Sequence, residues 1–537
     1  MSAPAAATID GDRWTLTPAG RALLANDDLR LDRHIAAGRA TVVKHGEHRT
    51  VYRVVLATGV VYWKHCRLNG SRAWWRDVFR GPKAKLEFDR ALALAERGIP
   101  TVEPLAWGQP AGAWPKGSFL ITRAVEGAEP LDEHLLGHPP ATPFDRRRLT
   151  LALAAFISRL HAAGVTHPDL HPGNILIRPE AAGPSFCLID IHDVELGPPA
   201  GPRARIQDLV LLNRWFQMRS TRADRLRFWR AFRPTDWSEN WAKEIERETE
   251  WSSLRLWRSR DTRCLRGNRH FRCVRGSGVS GHAVRELPAE AVDTFLADPD
   301  APFNRPDVVL LKDSRSATVC EVKVPTADGP RVMVYKRFLV TEWYDPVVNL
   351  FRPSAALRSW VNGHALVGRG LPTPRPWLAL HRRRFGFAGV GYLLCEKVPD
   401  AIHLHEAVAK FDRRAVRRLT EVAARWVRLF HERGVRHRDL KAANLLVGAD
   451  GDLQFIDLVG VRTGRVSPHL RVRDLARLNA SFISSNRVTR TDRLRFLCTY
   501  LLWGARGRAG WRDWWVQIDR ATRAKVRKNE ARDRPLA

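Results

Sequence analysis

Two loops, far apart in the chain, present the same order of acidic and amide side chains. The segment GVTHPDLHPGNILI at Gly164–Ile177 returns as GVRHRDLKAANLLV at Gly434–Val447. Each loop is followed by a short apolar stretch that ends in aspartate, FCLID at 186–190 and LQFID at 453–457. An acid, an amide and a second acid offer the oxygen ligands that a divalent cation prefers.

The two loops belong to a longer internal repeat. His167 and His437 are separated by 437 − 167 = 270 residues, and a lysine repeats at Lys64 and Lys336 with an offset of 336 − 64 = 272. The segments RGIP and RGLP, and then RIQDL and RVRDL, keep the same order at nearly the same offset. Several blocks repeated in one order indicate that the chain is two copies of one module.

The repeat predicts the domain organisation. We expect copy one at 30–235 and copy two at 262–515, joined by a basic, Trp-rich connector at 236–261 that we interpret as an amphipathic helix. The charged segment 516–537 is expected to fray. A chain of 537 residues has room for two or three domains, so two copies account for most of it.

Each copy has a mixed pattern of strands and helices. Short β-branched runs end at Lys64 and Lys336, which predicts strands. A helix is predicted over Lys83–Arg97, closed by Gly98, and a second helix, with an apolar stripe at Leu153–Leu160, leads into the acidic loop. This order of elements predicts an α+β fold with a small β-rich lobe and a larger helical lobe.

The pattern His-x-Asp-Leu-x-x-x-Asn, followed by aspartate at a strand end, resembles the catalytic loop and metal site of protein-kinase-like phosphotransferases. The form HPDLHPGN is similar to that of kinases that act on small molecules. Over both copies, the chain most resembles the lipopolysaccharide core kinase family, which includes heptose and Kdo kinases and InaA-like proteins. The resemblance implies two tandem bilobal domains of the protein-kinase-like fold that use ATP and Mg²⁺.

The resemblance also implies a role for each repeated side chain. In copy one, Asp169 would accept or orient the proton of the acceptor hydroxyl, while Asn174 and Asp190 would bind Mg²⁺. Lys64 would hold the α- and β-phosphates, and Glu87 on the following helix would pair with this lysine. The same roles in copy two would fall to Lys336, Asp439, Asn444 and Asp457.

The chain departs from the kinase pattern at the nucleotide end. Neither copy has a Gly-x-Gly-x-x-Gly loop; polar turns, KHGEHRT and KDSRSAT, stand there, and Arg49 or Arg315 could meet phosphates. Ser359 stands opposite Glu87, since 359 − 87 = 272. Copy two is therefore a weak catalyst, a catalyst that uses another acid, or a nucleotide-binding pseudokinase, and we expect copy one to be the main catalyst.

The short segment after each metal-binding aspartate is informative about the acceptor. Asp208 follows Asp190 by 208 − 190 = 18 residues, and no Ala-Pro-Glu motif intervenes. So little chain favours a small acceptor, such as a sugar hydroxyl, over a peptide. Asp208 and its counterpart Asp474 are expected to anchor the backbone of the catalytic loop, while Arg205 and Arg471 are either surface residues or phosphate contacts.

Composition limits the partners and the compartment. Lys plus Arg exceeds Asp plus Glu by 89 − 57 = 32, which favours an anionic partner, yet no motif of a known nucleic-acid reader is present. The seven cysteines form no CxxC pair, and no apolar run has the length of a membrane span. We expect a cytoplasmic protein that binds no nucleic acid and whose basic surface could contact the anionic inner face of the membrane.

Three functions fit this sequence. The leading hypothesis is an ATP- and Mg²⁺-dependent kinase that phosphorylates a sugar hydroxyl of a cell-envelope glycolipid. The HRDLKAAN of copy two, with Lys441 at the place of a γ-phosphate lysine, also suits a Ser/Thr protein kinase. A nucleotide-binding pseudokinase scaffold, with two degenerate copies, is the third.

Overall fold

The computed structural model divides the chain into two compact units, Met1–Ser252 and Ser253–Ala537. The residues that it describes are 4–9, 11–25, 27–46, 48–112, 117–181, 183–233, 237, 240–339, 353–384, 387–501 and 510–531. No helix in the described part of the chain carries an apolar stretch that could span a bilayer.

The first lobe of unit one is an antiparallel sheet of seven strands. Its strands are β1 (Ala5–Ile9), β2 (Asp12–Leu16), β3 (Ala40–His45), β4 (Arg49–Leu56), β5 (Gly59–Cys66), β6 (Pro104–Pro110) and β7 (Ser118–Arg123). They lie in the order β1-β2-β6-β7-β5-β4-β3. Lys64 is in β5, at the centre of the sheet, and pairs with Val51 of β4. The sheet begins well before residue 30, because β1 and β2 precede the first repeated block.

Short strands and helices complete unit one. The strands are β8 (Glu129–Pro130), β9 (Val165–Thr166), β10 (Ile175–Arg178), β11 (Ser185–Leu188) and β12 (Glu195–Leu196). The helices are α1 (Pro18–Leu24), α2 (Leu31–Ala36), α3 (Ser71–Arg80), α4 (Lys83–Glu96), α5 (Leu131–Gly137), α6 (Pro143–Ala162), α7 (Pro202–Arg219), α8 (Arg222–Phe232) and α9 (Asn240–Arg260). The helical lobe has its own core, in which Phe156, Ile157 and Leu160 of α6 pack against the strands β10 and β11.

Local sequence explains where the main helices begin and end. The predicted helix at 83–97 is α4, and Gly98 ends it with φ +69°, a conformation that favours glycine. Thr142 and Asp145 form a capping box at the start of α6, and the chain turns at Gly164 with φ +72°. A Cβ at Gly164 would lie 2.0 Å from the Gly197 carbonyl oxygen, so only glycine fits at this entry to the catalytic loop.

Unit two repeats this architecture. Its large sheet has the order β13-β14-β18-β19-β17-β16-β15, which matches unit one strand for strand. The strands are β13 (Phe271–Gly276), β14 (Val279–Val284), β15 (Leu310–Ser314), β16 (Ala317–Val324), β17 (Arg331–Phe338), β18 (Pro376–Arg384), β19 (Phe387–Glu396), β20 (Ile402–His403), β21 (Val435–His437), β22 (Leu445–Val447), β23 (Leu453–Phe455) and β24 (Val461–Thr463). The α+β fold predicted for two tandem copies is confirmed.

The helices of unit two include one that the sequence analysis missed. They are α10 (Ala289–Ala297), α11 (Ala355–Gly368), α12 (Leu404–Lys410), α13 (Arg413–Glu432), α14 (Pro468–Ala480), α15 (Arg490–Leu501) and α16 (Trp511–Glu530). The C-terminal segment was expected to fray, but α16 packs against α14, with Thr522 fully buried and accepting a hydrogen bond from Asn479 at 3.0 Å. Burial of one face therefore orders most of this charged segment.

The predicted connector is largely the helix α9, and the division of the chain falls inside this helix. Ile245, in its first part, belongs to the core of unit one. Trp257, in its second part, belongs to unit two, where the guanidinium of Arg369 lies 5.4 Å from its ring. Each end of the helix is thus held by packing within one unit.

Candidate active site

The catalytic loop of each unit is anchored by a buried aspartate from the helix that follows. In unit one, Asp208 on α7 accepts a hydrogen bond from the backbone N–H of His167 at 3.1 Å. In unit two, Asp474 on α14 accepts the same bond from His437, also at 3.1 Å. Both carboxylates are buried, as is the neighbouring His161 that contacts Asp208. The prediction that these two aspartates hold the loop backbone is confirmed.

The amide of Asn174 closes the loop of unit one. Its side-chain nitrogen donates to the backbone carbonyl of Asp169 at 3.0 Å, within the short 3₁₀ turn Pro172–Asn174. Because the nitrogen is engaged in this bond, the amide oxygen is the atom that can face a cation. The site therefore fits a hard metal ion at this position.

The Asp169 side chain reaches solvent, where an acceptor could meet it. This side chain is 68% exposed, and its Oδ2 lies 3.6 Å from Nε2 of His171. The contact with His171 lowers the pKa of Asp169 below its ordinary value. The carboxyl is thus ionised and able to accept a proton near neutral pH.

A buried ion pair joins the sheet of unit one to its helix α4. Lys64 of β5 donates to Oε1 of Glu87, whose side chain is only 2% exposed. The helix presents Glu87 to the strand because Ala84 and Phe88 pack against Leu120 of the sheet. The predicted pairing of these two residues is present.

Asp190 is the second residue after β11, and an arginine of the opposite lobe holds it. The two terminal nitrogens of Arg49 donate to its two carboxylate oxygens at 2.7 and 3.1 Å, and His192 Nδ1 lies 3.0 Å from Oδ1. Burial raises the pKa of Asp190, but His192, Arg49 and the charge of Lys64 together hold it well below its ordinary value. An ionised carboxylate here suits a divalent cation.

The backbone at Asp190 is unusual and has a dedicated support. Asp190 adopts a left-handed conformation, with φ +57°, that few non-glycine residues take. Arg90 of α4 holds the turn that follows by donating to the carbonyl oxygens of His192 and, at 2.6 Å, of Val194. The sequence analysis did not identify Arg90, since nothing in its local pattern distinguishes it from a surface arginine.

The residues assigned to the site of unit one share one electrostatic neighbourhood. Burial lowers the pKa of His167, while the charges of Asp169 and Asp190 both act on this imidazole in the opposite direction. The charge of Lys64 acts on Asp190 in turn. His167 is therefore influenced by both carboxylates, and Asp190 is influenced by the lysine as well.

Unit two repeats the catalytic loop in detail. Asp439 accepts at its carbonyl oxygen from the side-chain nitrogen of Asn444 at 2.8 Å, and its backbone N–H donates to His437 at 3.2 Å. Asp457 has the same left-handed backbone as Asp190, with φ +54°. The scaffold for an acid, an amide and a second acid is thus equivalent in the two units.

The nucleotide end of unit two differs. Ser359 is buried and donates to the Ala355 carbonyl oxygen of its own helix, α11, at 2.9 Å. Lys336 instead contacts Asp457 directly, at 3.2 Å. Burial raises the pKa of Asp457, and Lys336 is the main cause that brings it below its ordinary value.

Two further positions change with Ser359. The strand pairing places Ala317 in unit two where Arg49 stands in unit one, because Ala317 pairs with Phe338 as Arg49 pairs with Cys66. Asn362 takes over the support of the turn after Asp457, donating to the carbonyl oxygens of Leu458 and Val461 at 2.8 and 3.2 Å. Two arginines of unit one, Arg49 and Arg90, thus correspond to the uncharged Ala317 and Asn362 in unit two.

Arg205 and Arg471 have structural partners. The Nε of Arg205 donates to the Ala200 carbonyl oxygen at 2.6 Å, and that of Arg471 to the Val466 carbonyl oxygen at 3.2 Å. Both bonds tie down the turn that precedes the anchoring helix. These contacts favour a role in the fold over contact with a phosphate.

One other group of described residues brings metal-ligand atoms together. Donor atoms of Glu129, His134 and His138 lie within 4.8 Å of one another on β8 and around α5. Unit two has Ile402, Ala407 and Phe411 in register with them, none of which binds metals. Both units share the acid–amide–acid pattern instead.

Comparison with known proteins places the chain in a family. The model of the "Lipopolysaccharide kinase (Kdo/WaaP) family" matches residues 36–232 and again 345–500, which together exceed half of the chain. The solved structure "WaaP in complex with acyl carrier protein" is similar, with 24% sequence identity, a TM-score of 0.32, and coverage of 48% of this chain and 100% of that chain. No curated protein matches the sequence significantly. The chain therefore belongs to the lipopolysaccharide kinase (Kdo/WaaP) family, and it is a kinase that carries the family's domain twice.

Proposed function

We propose that the protein transfers the γ-phosphate of ATP, with Mg²⁺, to a sugar hydroxyl of a lipopolysaccharide core glycolipid, and that unit one is the main catalyst. Membership of the family supports a kinase with a sugar or glycolipid acceptor. The buried Lys64–Glu87 pair carries the assignment to unit one, because unit two has Ser359 in place of the glutamate. A kinase of this superfamily needs this pair to hold the lysine toward the nucleotide.

Unit one supplies each group that the reaction needs. The oxygen of the acceptor hydroxyl bonds to the γ-phosphorus, the bond from this phosphorus to the β,γ-bridging oxygen breaks, and ADP leaves. Asp169 orients the hydroxyl and takes its proton; it is exposed enough for a bulky acceptor and is ionised at neutral pH. Lys64 holds the α- and β-phosphates, while Glu87 keeps its ammonium extended.

Asn174 and Asp190 are the residues that would hold Mg²⁺. The metal would neutralise charge on the β- and γ-phosphates when bound. Both residues suit this role, because the Asn174 amide nitrogen is already engaged and the Asp190 carboxyl is ionised. Arg49, which binds both oxygens of Asp190, would compete with the cation for this carboxylate.

A sugar acceptor fits the chain that follows Asp190. The residues after it are tied down by the 3₁₀ turn Ile191–Asp193 and by β12, which pairs with β9 next to the catalytic loop. The anchoring helix α7 begins at Pro202. A peptide substrate would need an extended platform in this place, and the chain has none to spare there.

Unit two is best explained as a nucleotide-binding unit with weak turnover. Its catalytic loop is intact, but Lys336 has no helix acid in register and contacts Asp457 instead. Without this acid, the lysine is not held toward the nucleotide as Lys64 is. We therefore assign unit two a binding or regulatory role and unit one the catalysis.

Transfer of radiolabelled phosphate tests this function. Purified full-length protein is incubated with labelled ATP and Mg²⁺ and with core glycolipid, a water-soluble core oligosaccharide, or casein. We expect label in the glycolipid and the oligosaccharide, none in casein, and no transfer after chelation of the metal. Strong labelling of casein with no labelled sugar would instead favour a Ser/Thr protein kinase, and ATP binding with no transfer would favour a pseudokinase.

A further inference from the structure

The short helix α3 turns its large apolar side chains away from the protein. Trp75, Val78 and Phe79 are 54%, 45% and 78% exposed. Their spacing, i, i+3 and i+4, places them on one face of the helix. The rings of Trp75 and Phe79 stack on each other, with centroids 5.7 Å apart, and so form one continuous apolar surface.

On the opposite side of α3, the acidic residue is buried. Asp77, the acidic residue of this helix, is only 6% exposed. A surface helix of a globular protein normally places its apolar stripe inward and its charges outward. The reversed arrangement indicates that the apolar face of α3 is meant for contact with something outside the chain.

Charge identifies the occupant of this face as an anionic lipid surface. The sequence of α3, SRAWWRDVFR, places arginines at positions 72, 76 and 80, and its one acid is buried. The whole chain carries an excess of 32 positive charges. Aromatic residues flanked by arginines on a short helix are the combination that settles into the headgroup region of an anionic bilayer.

The position of α3 connects it to catalysis. The helix begins 71 − 64 = 7 residues after Lys64 and ends 87 − 80 = 7 residues before Glu87. Glycines with positive φ, Gly70 at +84° and Gly81 at +79°, stand at its two ends and let the helix turn out from the sheet. A bilayer bound by α3 would therefore lie next to the lobe that holds the Lys64–Glu87 pair.

We propose that α3 is a membrane-docking helix that inserts Trp75, Val78 and Phe79 into the headgroup region of an anionic leaflet. The role of this docking rests on the proposed function, because a glycolipid acceptor is held in a bilayer. Docking brings the enzyme to the surface from which the acceptor sugars project. The arginines supply attraction at a distance, and the aromatic face supplies binding that salt does not weaken.

Flotation of the full-length protein with lipid vesicles tests the docking. Vesicles of phosphatidylcholine, with or without phosphatidylglycerol, are used without ATP or acceptor, so the result does not depend on phosphate transfer. We expect binding to the anionic vesicles, and we expect the double variant Trp75→Ser with Phe79→Ser to lower the partition coefficient by about tenfold to a hundredfold. Phe144→Ser is the matched control, because Phe144 is 66% exposed on α6 of the same unit and should change nothing.

Two further measurements keep the result decisive. Arg80→Glu leaves the aromatic face intact, and it should weaken binding to anionic vesicles alone. Transfer to the water-soluble oligosaccharide should stay at the wild-type rate in the double variant, which also demonstrates that this variant is folded. Equal binding of the wild type and the double variant to anionic vesicles would overturn the proposal. A smaller particle mass of the double variant in the absence of lipid would also overturn it, because the face would then cover a second copy of the chain.

Discussion

The two units use one scaffold with two arrangements of charge. Unit one has two separate ion pairs, Lys64 with Glu87 and Arg49 with Asp190. Unit two has neither the glutamate nor the arginine, and its lysine contacts Asp457 directly. The catalytic loops and their anchoring aspartates are nevertheless equivalent. The scaffold and the charge at the nucleotide end can therefore change independently.

The absence of the glutamate from unit two explains why its strand lysine has a different partner. A buried glutamate such as Glu87 is stable only with a partner, and Lys64 is that partner. With Ser359 in its place, the strand lysine of unit two contacts Asp457 instead. In unit two, Lys336 thus neutralises Asp457, which in unit one is the task of Arg49.

Loss of the catalytic acid should separate the two units most strongly. Asp169→Asn removes the proton acceptor of unit one and should lower kcat for sugar phosphorylation by about a hundredfold to ten-thousandfold. Asp439→Asn, the matched change in unit two, should leave the total rate nearly unchanged. Initial rates with labelled ATP measure both. Equal losses in the two variants would show that both units catalyse the reaction.

The lysine–glutamate pair should have the next largest effect. Glu87→Gln leaves Lys64 without its charged partner and should lower kcat/KM for ATP by about tenfold to a hundredfold. Ser359→Ala is the control at the matching position of unit two; it removes only a bond within one helix and should change neither rate nor ATP binding. A wild-type rate for Glu87→Gln would mean that Lys64 is positioned by other residues.

Arg49 should control how readily unit one takes up its metal. Arg49→Gln removes the guanidinium from Asp190 and should lower the Mg²⁺ concentration needed for half-maximal activity by about threefold to fivefold. Arg53→Gln, an exposed residue of the same strand, is the control. A Mg²⁺ requirement that rises instead would contradict competition between arginine and metal and would favour a role for Arg49 in holding phosphate.

The smallest expected effect concerns the pH dependence of kcat and the residue that contacts the proton acceptor, which is His171 in unit one and is matched by Lys441 in unit two. His171 lowers the pKa of Asp169, and Asp169 must be ionised to accept a proton, so activity falls as the pH drops through this lowered value. His171→Asn should therefore move the acidic limb of the kcat profile to higher pH. His171→Lys, which copies Lys441 of unit two, supplies a positively charged donor and should leave the limb close to that of the wild type. An unmoved limb in His171→Asn would contradict the influence of His171 on the proton acceptor.

The local sequence was sufficient to predict some elements of the fold. Other elements were missed although the sequence contains a signal for them. The helix over 83–97 and the acidic loops follow from capping residues, glycines and a duplicated motif, and the structure contains them. The strands β1 and β2 were missed although Asp10-Gly11 between them is a strong hairpin signal. The helix α16 was missed although Trp514, Ile518 and Thr522 recur at the helical period on its packed face.

The sequence by itself determined the duplication, the α+β order of elements and the identity of the repeated acid, amide and lysine, since these depend on residues that are close in the chain or recur at a fixed offset. Only the tertiary structure decided which charges meet. Arg49 and Asp190 are 141 residues apart, and no local pattern predicts that the arginine contacts the aspartate rather than a phosphate. The same holds for the outward face of α3, because exposure depends on what the rest of the fold leaves uncovered. Partners across a fold are selected by packing and burial, which act on the assembled chain.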